Sequence, residues 1–370
     1  MPERYAVAAG LPGCSDAGAA TYSTAHGEDG GMAFLTTIAG SLPKPAWLAE
    51  PERIFPTWRM DGDALADAQR DATRIAVSEQ LLAGIDAVTD GEQSRKHFVH
   101  GFAERLAGVD ATKRSNRGIR DGRYEAVCPT VTGEIRRTAP VHVEEMRFAR
   151  TLTRGPLKIT IPGPMTLVDT VCDEHYGGDR AKLGFAFARA IREEIADLIA
   201  AGVDVVQLDE PAFNVFFDEV AAWGIDALDT ALDGATCTKA VHVCYGYGIP
   251  ANVAWKANLG ERWDQYAHVL PLLARSSVDQ ISIELAGSHV PPEVLELAGD
   301  KVMAIGVIDV ASERIETPDD VRATIERARR HIADDRIVCS TNCGMAPMPR
   351  HVAYGKLRSL AEGAASARRS

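Results

Sequence analysis

Eight short apolar runs constrain this chain more than any other feature. They are Phe34–Ala39, Ile85–Thr89, Leu157–Ile161, Val203–Leu208, Ala240–Cys244, Gln280–Glu284, Val302–Ile308 and Ile337–Ser340. They are rich in β-branched residues and stop at Gly, Pro or polar residues, as strands do. Longer stretches such as Gly62–Ala83, Asp179–Ala201 and Thr317–Ile332 lie between them and read as helices. The last opens with Thr317-Pro318-Asp319-Asp320, an N-cap, a first-turn proline and acids that favour the helix dipole. Strands alternating with helices predict a parallel sheet, and eight such units predict a single α/β (β/α)8 TIM barrel. A doubly wound sheet is the alternative. Against it, no G-x-G-x-x-G follows the first run, and Gly246–Pro250 lacks the required helix and spacing.

One gap, from Thr89 to Leu157, is too long for a simple βα unit. Its middle, Arg114–Ala139, is polar and then reads as two short alternating strands around Gly133. The expectation is an inserted hairpin between strands 2 and 3, lying over one mouth of the barrel.

The 370 residues leave room for two domains at about 150 residues each, but a barrel accounts for 32–370 as one. Residues 1–31 are rich in Gly, Ala and Ser and lack periodicity. They read either as a disordered tail or as a mis-assigned start before Met32, which sets Cys14 and His26 aside. They lack the basic start and apolar core of a signal peptide. The formal net charge is -12, and no Lys/Arg block is present, which argues against nucleic-acid binding. No apolar run approaches the roughly 18 residues of a membrane span. Seven cysteines, an odd number in a long chain, point to a reducing cytoplasm rather than a disulfide scaffold.

A barrel builds its active site at the C-terminal ends of its strands. Those ends carry Gly40-Ser41, Asp90-Gly91-Glu92, Pro162-Gly163-Pro164, Asp209-Glu210-Pro211, His242-Val243-Cys244, Glu284, Asp309 and Cys343-Gly344. In His242-x-Cys244, residues i and i+2 of a strand point the same way, so both can reach one ion. His and Cys suit Zn²⁺. Cys343 and Glu284 could complete a set of two thiolates, one imidazole and one carboxylate. The competing reading is a half-buried strand with a small thiol. Two thiolates on the metal favour a sulfur nucleophile, whereas water-activating sites more often use His and carboxylate ligands.

Glu92 and Asp209 could hold the ammonium of an amino-acid substrate, or simply pair with Arg95, Lys96 or other loop cations. Glu210 reads as structural, because neighbouring strand residues face opposite ways. Cys339 reads as core, and Cys172 and Cys237 sit at element edges. Cys128 belongs to the hairpin region. His97, His100, His175, His331 and His351 read as surface or satisfied polar residues. His289 is a candidate proton donor or pocket residue, and Tyr245 and Tyr247 are candidate pocket walls.

Taken in order, Thr36-Thr37-Ile38-Ala39-Gly40-Ser41, Asp90-Gly91-Glu92, Pro162-Gly163-Pro164-Met165-Thr166, Gln207-Leu208-Asp209-Glu210-Pro211-Ala212, His242-x-Cys244, Ser282-Ile283-Glu284 and Asn342-Cys343-Gly344 resemble the catalytic C-terminal domain of cobalamin-independent methionine synthase. The resemblance covers about residues 34–363. It implies a zinc (β/α)8 barrel that methylates the thiol of homocysteine. By resemblance, zinc falls to His242, Cys244, Glu284 and Cys343, and homocysteine to Gly40, Ser41, Glu92 and Asp209. The long members' second, folate-binding barrel has no counterpart in these residues. Three folate-side positions also depart from the family, at Thr170, Val215 and Ala311 (the last where the family has a proton-donating His). The pattern resembles the short, folate-independent "core" methionine synthases.

The expected activity is therefore zinc-dependent homocysteine methylation, with Glu92 and Asp209 fixing the amino-acid end and without methyl-folate as direct donor. The donor is left open among methylcobalamin, a corrinoid protein and a methyl delivered by a partner protein. Two rivals stand beside it. One is a zinc enzyme alkylating another thiol, like the epoxide:coenzyme M transferases. The other is a non-catalytic barrel that binds zinc or a thiol.

Overall fold

The computed structural model describes residues 33–369; the segment 1–31, with Cys14 and His26, lies outside the described residues. Eleven strands follow one another as β1 (Leu35–Thr36), β2 (Val88–Thr89), β3 (Ala107–Ile119), β4 (Tyr124–Arg136), β5 (Leu157–Pro162), β6 (Cys172–Asp173), β7 (Val205–Asp209), β8 (Thr238–Val243), β9 (Gln280–Glu284), β10 (Val302–Ile308) and β11 (Ile337–Thr341). Eight of them form one sheet in the order β1-β11-β10-β9-β8-β7-β5-β2, and every pairing in it is parallel. The two ends of that order meet: Ala87 N donates to Thr36 O at 2.9 Å, and Thr37 Oγ1 donates to Ala87 O at 2.9 Å. The sheet thus curls on itself into the expected TIM-barrel-like fold.

The sequence predicts a first strand over Phe34–Ala39, but the ladder keeps only Leu35–Thr36. The reason is tertiary. The carbonyls of Ile38 and Ala39 accept from the side chains of Lys158 and Gln207 instead of a neighbouring strand.

Around the barrel, alternate residues face opposite ways. The outward set is apolar: Ile159 and Ile161, Val206 and Leu208, Val241 and Val243, Ile281 and Ile283, all buried in the main core. The inward set is polar: Lys158 and Thr160, Gln207 and Asp209, His242 and Cys244, Ser282 and Glu284. The register puts Asp209 beside His242, and His242 beside Ser282. Hydrophobic packing is therefore spent on the helices outside, and the interior is left for chemistry.

The helices stop and start where local chemistry dictates. Gly62–Ala83 ends at Gly84, whose φ of 89° lets its N–H reach back to Gln80 and Leu81 carbonyls. The helix Pro318–Ala328 begins with a full capping box between Thr317 and Asp320.

The inserted hairpin is present, but its turn is not at Gly133. β3 and β4 pair antiparallel, with the turn at Arg120, Asp121 and Gly122, all at positive φ. Asp121-Gly122 is the sequence signal for this turn, and Gly133 is not. Gly133 lies inside β4, where the strands pass so closely that a Cβ on Gly108 would sit 2.7 Å from Gly133 O. β6 extends this second sheet. Among the described residues, no helix is long and apolar enough to cross a membrane.

Candidate metal and substrate site

The parity of β8 directs His242 and Cys244 inward, and the turn after β11 brings Cys343 to meet them. One ligand atom from each of these three lies within 4.8 Å of the other two, and all three residues are buried. Cys244 Sγ and Cys343 Sγ are 3.5 Å apart. A hydrogen bond from Cys343, then burial offset by the His242 charge, leaves the Cys244 thiol well below its usual range. The same hydrogen bond, with burial, pushes Cys343 up.

His242 Nδ1 is 2.8 Å from Ser282 Oγ, which fixes the ring. Its Nε2 is buried and has no hydrogen-bond partner. A buried, unpartnered imidazole nitrogen beside two thiols is costly unless something electrophilic fills the gap. This donor set fits Zn²⁺.

Glu284, the expected fourth ligand, is not in that group of three. Its Oε1 accepts from Tyr245 N at 2.7 Å and its Oε2 from Lys256 Nζ at 2.7 Å. The Lys256–Glu284 ion pair is almost fully buried. It nonetheless lies within electrostatic reach of both thiols: its charge helps raise Cys343, and Cys244 helps raise it.

The carboxylates expected at the amino-acid end converge on the same pocket. Ser41, Glu92, Asp209, His242, Cys244 and Cys343 all line it. Glu92 Oε1 accepts from Thr160 Oγ1 at 2.8 Å. Arg95 pairs with Asp90 at 2.9 Å and lies 4.0 Å from Glu92, so the expected cation partner is engaged chiefly by Asp90. Gly40 packs behind Glu92: with φ at 157°, a Cβ there would fall 2.8 Å from Glu92 Oε1. Asp209 Oδ1 accepts from Gln207 Nε2 at 2.7 Å. Burial, with repulsion from Glu92, pushes Asp209 up to about 7.

Glu210 faces away and is structural. Its carboxylate accepts from the backbone N–H groups of Met165 and Thr166 and from Thr166 Oγ1, tying down the helix Pro164–Asp169. Cys339 is buried in the core. His289 stacks loosely on Trp263 and bonds to Glu261 O, away from the pocket. Tyr247 lines the pocket, whereas Tyr245 is buried beside it, its hydroxyl bonded to Gln265.

The sequence reading missed the outer wall. Arg120, Arg123 and Tyr124 at the hairpin tip line the pocket, as do His97 and Phe98. Arg120 forms a buried ion pair with Asp169. Arg123 lies 3.3 Å over the Trp255 ring and donates to Tyr245 O. His97 stacks on Phe55, with centroids 4.0 Å apart. Its Nδ1 accepts from Val99 N and His100 N, and burial lowers its pKa well below the usual value. Only the long gap between β2 and β5 signalled this wall in advance.

Residues 34–366 match the family described as cobalamin-independent synthase, catalytic domain. A methionine synthase of Sulfurisphaera tokodaii is 32% identical over 330 residues, covering 89% of this chain and 90% of that one. The structure of a B12-independent methionine synthase from Shewanella sp. W3-18-1, in complex with selenomethionine, superposes with a TM-score of 0.90 at 49% identity. It covers 91% of this chain and 98% of that one. A methyltransferase from Methanosarcina mazei shares the fold, at a TM-score of 0.61 and 14% identity over 94% of this chain and 96% of that one.

Proposed function

The chain belongs to the family of the catalytic domain of cobalamin-independent methionine synthase, a methyltransferase family, and we propose that it methylates homocysteine in a zinc-dependent reaction. The observation that carries the zinc reading is the unpartnered Nε2 of His242 beside two buried thiols. His242, Cys244 and Cys343 are the proposed ligands, with Glu284 as the fourth. Bound Zn²⁺ supplies the charge that keeps the substrate thiol ionised at neutral pH.

The rest of the chemistry belongs to the chain. Glu92 and Asp209 receive the α-ammonium through charge-assisted hydrogen bonds, and the Gly40-Ser41 turn holds the amino-acid end. Fixing that end converts the attack of sulfur on the methyl group into an oriented, effectively unimolecular step. The hairpin tip and the Phe55–His97 stack wall the pocket, which keeps water from the electrophile. The selenomethionine in the Shewanella relative is an analogue of the expected product.

The methyl donor is proposed to be other than methyl-folate. By the resemblance, the family's folate-side positions are held here by Thr170, Val215 and Ala311. Methylcobalamin, a corrinoid protein and a partner-delivered methyl are the candidates for assay.

One observation favours the rival thiol with an anionic tail. Arg123 contributes a cation to the pocket and bonds only to a carbonyl there. Calorimetry on the zinc-loaded enzyme separates the readings. Methionine should bind and S-methyl coenzyme M should not. The reverse preference, or a purified protein without stoichiometric zinc, overturns the proposal.

A further inference from the structure

Lys158 is the second residue of β5, 2% exposed, pointing into the barrel beneath the pocket. Its Nζ donates to Ile38 O at 2.5 Å and to Gln207 Oε1 at 2.9 Å. Both acceptors are neutral. An ammonium buried without a direct counter-ion is expensive, and burial lowers Lys158 to about 7 despite the nearby charges of Asp209 and Glu92. It does not line the pocket, so it cannot reach a substrate atom.

Its geometry does fix something else. An ammonium only donates, so Gln207 must turn Oε1 toward it. Gln207 Nε2 is then committed to Asp209 Oδ1 and to Ala39 O, each at 2.7 Å. The chain Lys158–Gln207–Asp209 sets which side of the amide meets the carboxylate. It also places a cation behind Asp209, on the side away from the pocket.

We infer that Lys158 is a positioning residue for the substrate's ammonium, acting through Gln207 on Asp209. The inference rests on the reading that Asp209 receives that ammonium. The test is calorimetry on the zinc-loaded full chain with two ligands: methionine, and 4-(methylsulfanyl)butanoate, which lacks the amino group. Asp209→Asn should weaken methionine binding by about tenfold or more. Lys158→Met should do the same, and the double variant should cost little beyond either single change. None of the three should alter binding of the des-amino ligand.

Gln207→Met breaks the same chain with Lys158 in place, and should reproduce the selective loss if Lys158→Met does not fold. A Lys158→Met loss that is equal for both ligands, or that adds in full to Asp209→Asn, overturns the inference and leaves the homocysteine reading intact. A wild-type enzyme that binds methionine no better than the des-amino ligand overturns the ammonium site, and the inference with it.

Discussion

Cys244 Sγ and Cys343 Sγ stand 3.5 Å apart although 99 residues separate them. One thiol follows β8 and the other follows β11, and only the curling of the sheet brings them together. Their proximity predicts a shared metal. Purified protein should carry about one zinc per chain, and Cys343→Ala should lose it, measured by elemental analysis after dialysis against a weak chelator.

Ser282 should matter without touching the metal. Its Oγ holds His242 Nδ1 at 2.8 Å and so aims Nε2. Removing such a partner typically costs about 10–100-fold in metal affinity. Ser282→Ala should show that loss in a chelator competition, while Cys339→Ser, in a strand core remote from the site, should leave metal affinity unchanged.

Lys256 competes for the carboxylate proposed as fourth ligand. Glu284→Gln should weaken zinc binding. Lys256→Met should leave Glu284 buried and unpaired in the metal-free protein, a change that costs about 3–5 kcal/mol. Zinc should relieve that cost. The rise in melting temperature on adding zinc should therefore be larger in Lys256→Met than in wild type. An equal rise would remove Glu284 from the ligand set.

The pH dependence follows from Asp209, raised from 3.8 to about 7 chiefly by burial. The anionic form is lost as pH falls through about 7, so methionine affinity should drop on that side. Bound ammonium favours the anion and moves the limb lower. Asp209→Asn should flatten it. In the ligand-free protein the linkage to stability has the other sign. Between 3.8 and about 7 the folded state holds a proton that the unfolded state has released. Stability from this group is therefore present at low pH and falls as pH rises through that window.

The hairpin should loosen before the barrel does. Arg120 anchors its tip to Asp169, and Arg123 anchors it to Trp255 and Tyr245. Arg120→Ala leaves a buried carboxylate unpaired, at about 3–5 kcal/mol. Amide exchange should accelerate across Ala107–Arg136, with the strands β7 to β10 still protected. Uniform acceleration would mean that the hairpin is part of one cooperative unit.

Much of this was legible in the chain itself. Periodicity marked eight strands, because each alternates inward and outward residues against a helix. Placing chemistry at strand ends then put Ser41, Glu92, Asp209, His242, Cys244 and Cys343 at one mouth, and they do line one pocket. The Asp209-Glu210 assignment followed from strand parity alone, which sends neighbours to opposite faces.

What sequence could not show depends on approaches between distant segments. The hairpin turn is marked by Asp121-Gly122, but no local pattern says that its tip folds back onto the barrel mouth, so the pocket residues Arg123 and Tyr124 were missed. His97 read as a surface or satisfied polar residue; it is satisfied, but its place in the pocket wall depends on Phe55, far earlier in the chain, which stacks on it. Whether Glu284 faces an ion or an ammonium depends on Lys256, which a separate helix delivers. Lys158 read simply as one residue of an apolar run, and barrel closure carried its Nζ to Ile38 O and Gln207. Local pattern determined the strands and the residues at their ends, because periodicity is a property of neighbours. Tertiary structure alone decided which polar atoms are paired and which, like His242 Nε2, are left buried and waiting, because hydrogen-bond satisfaction is settled by whatever the fold brings within about 3 Å.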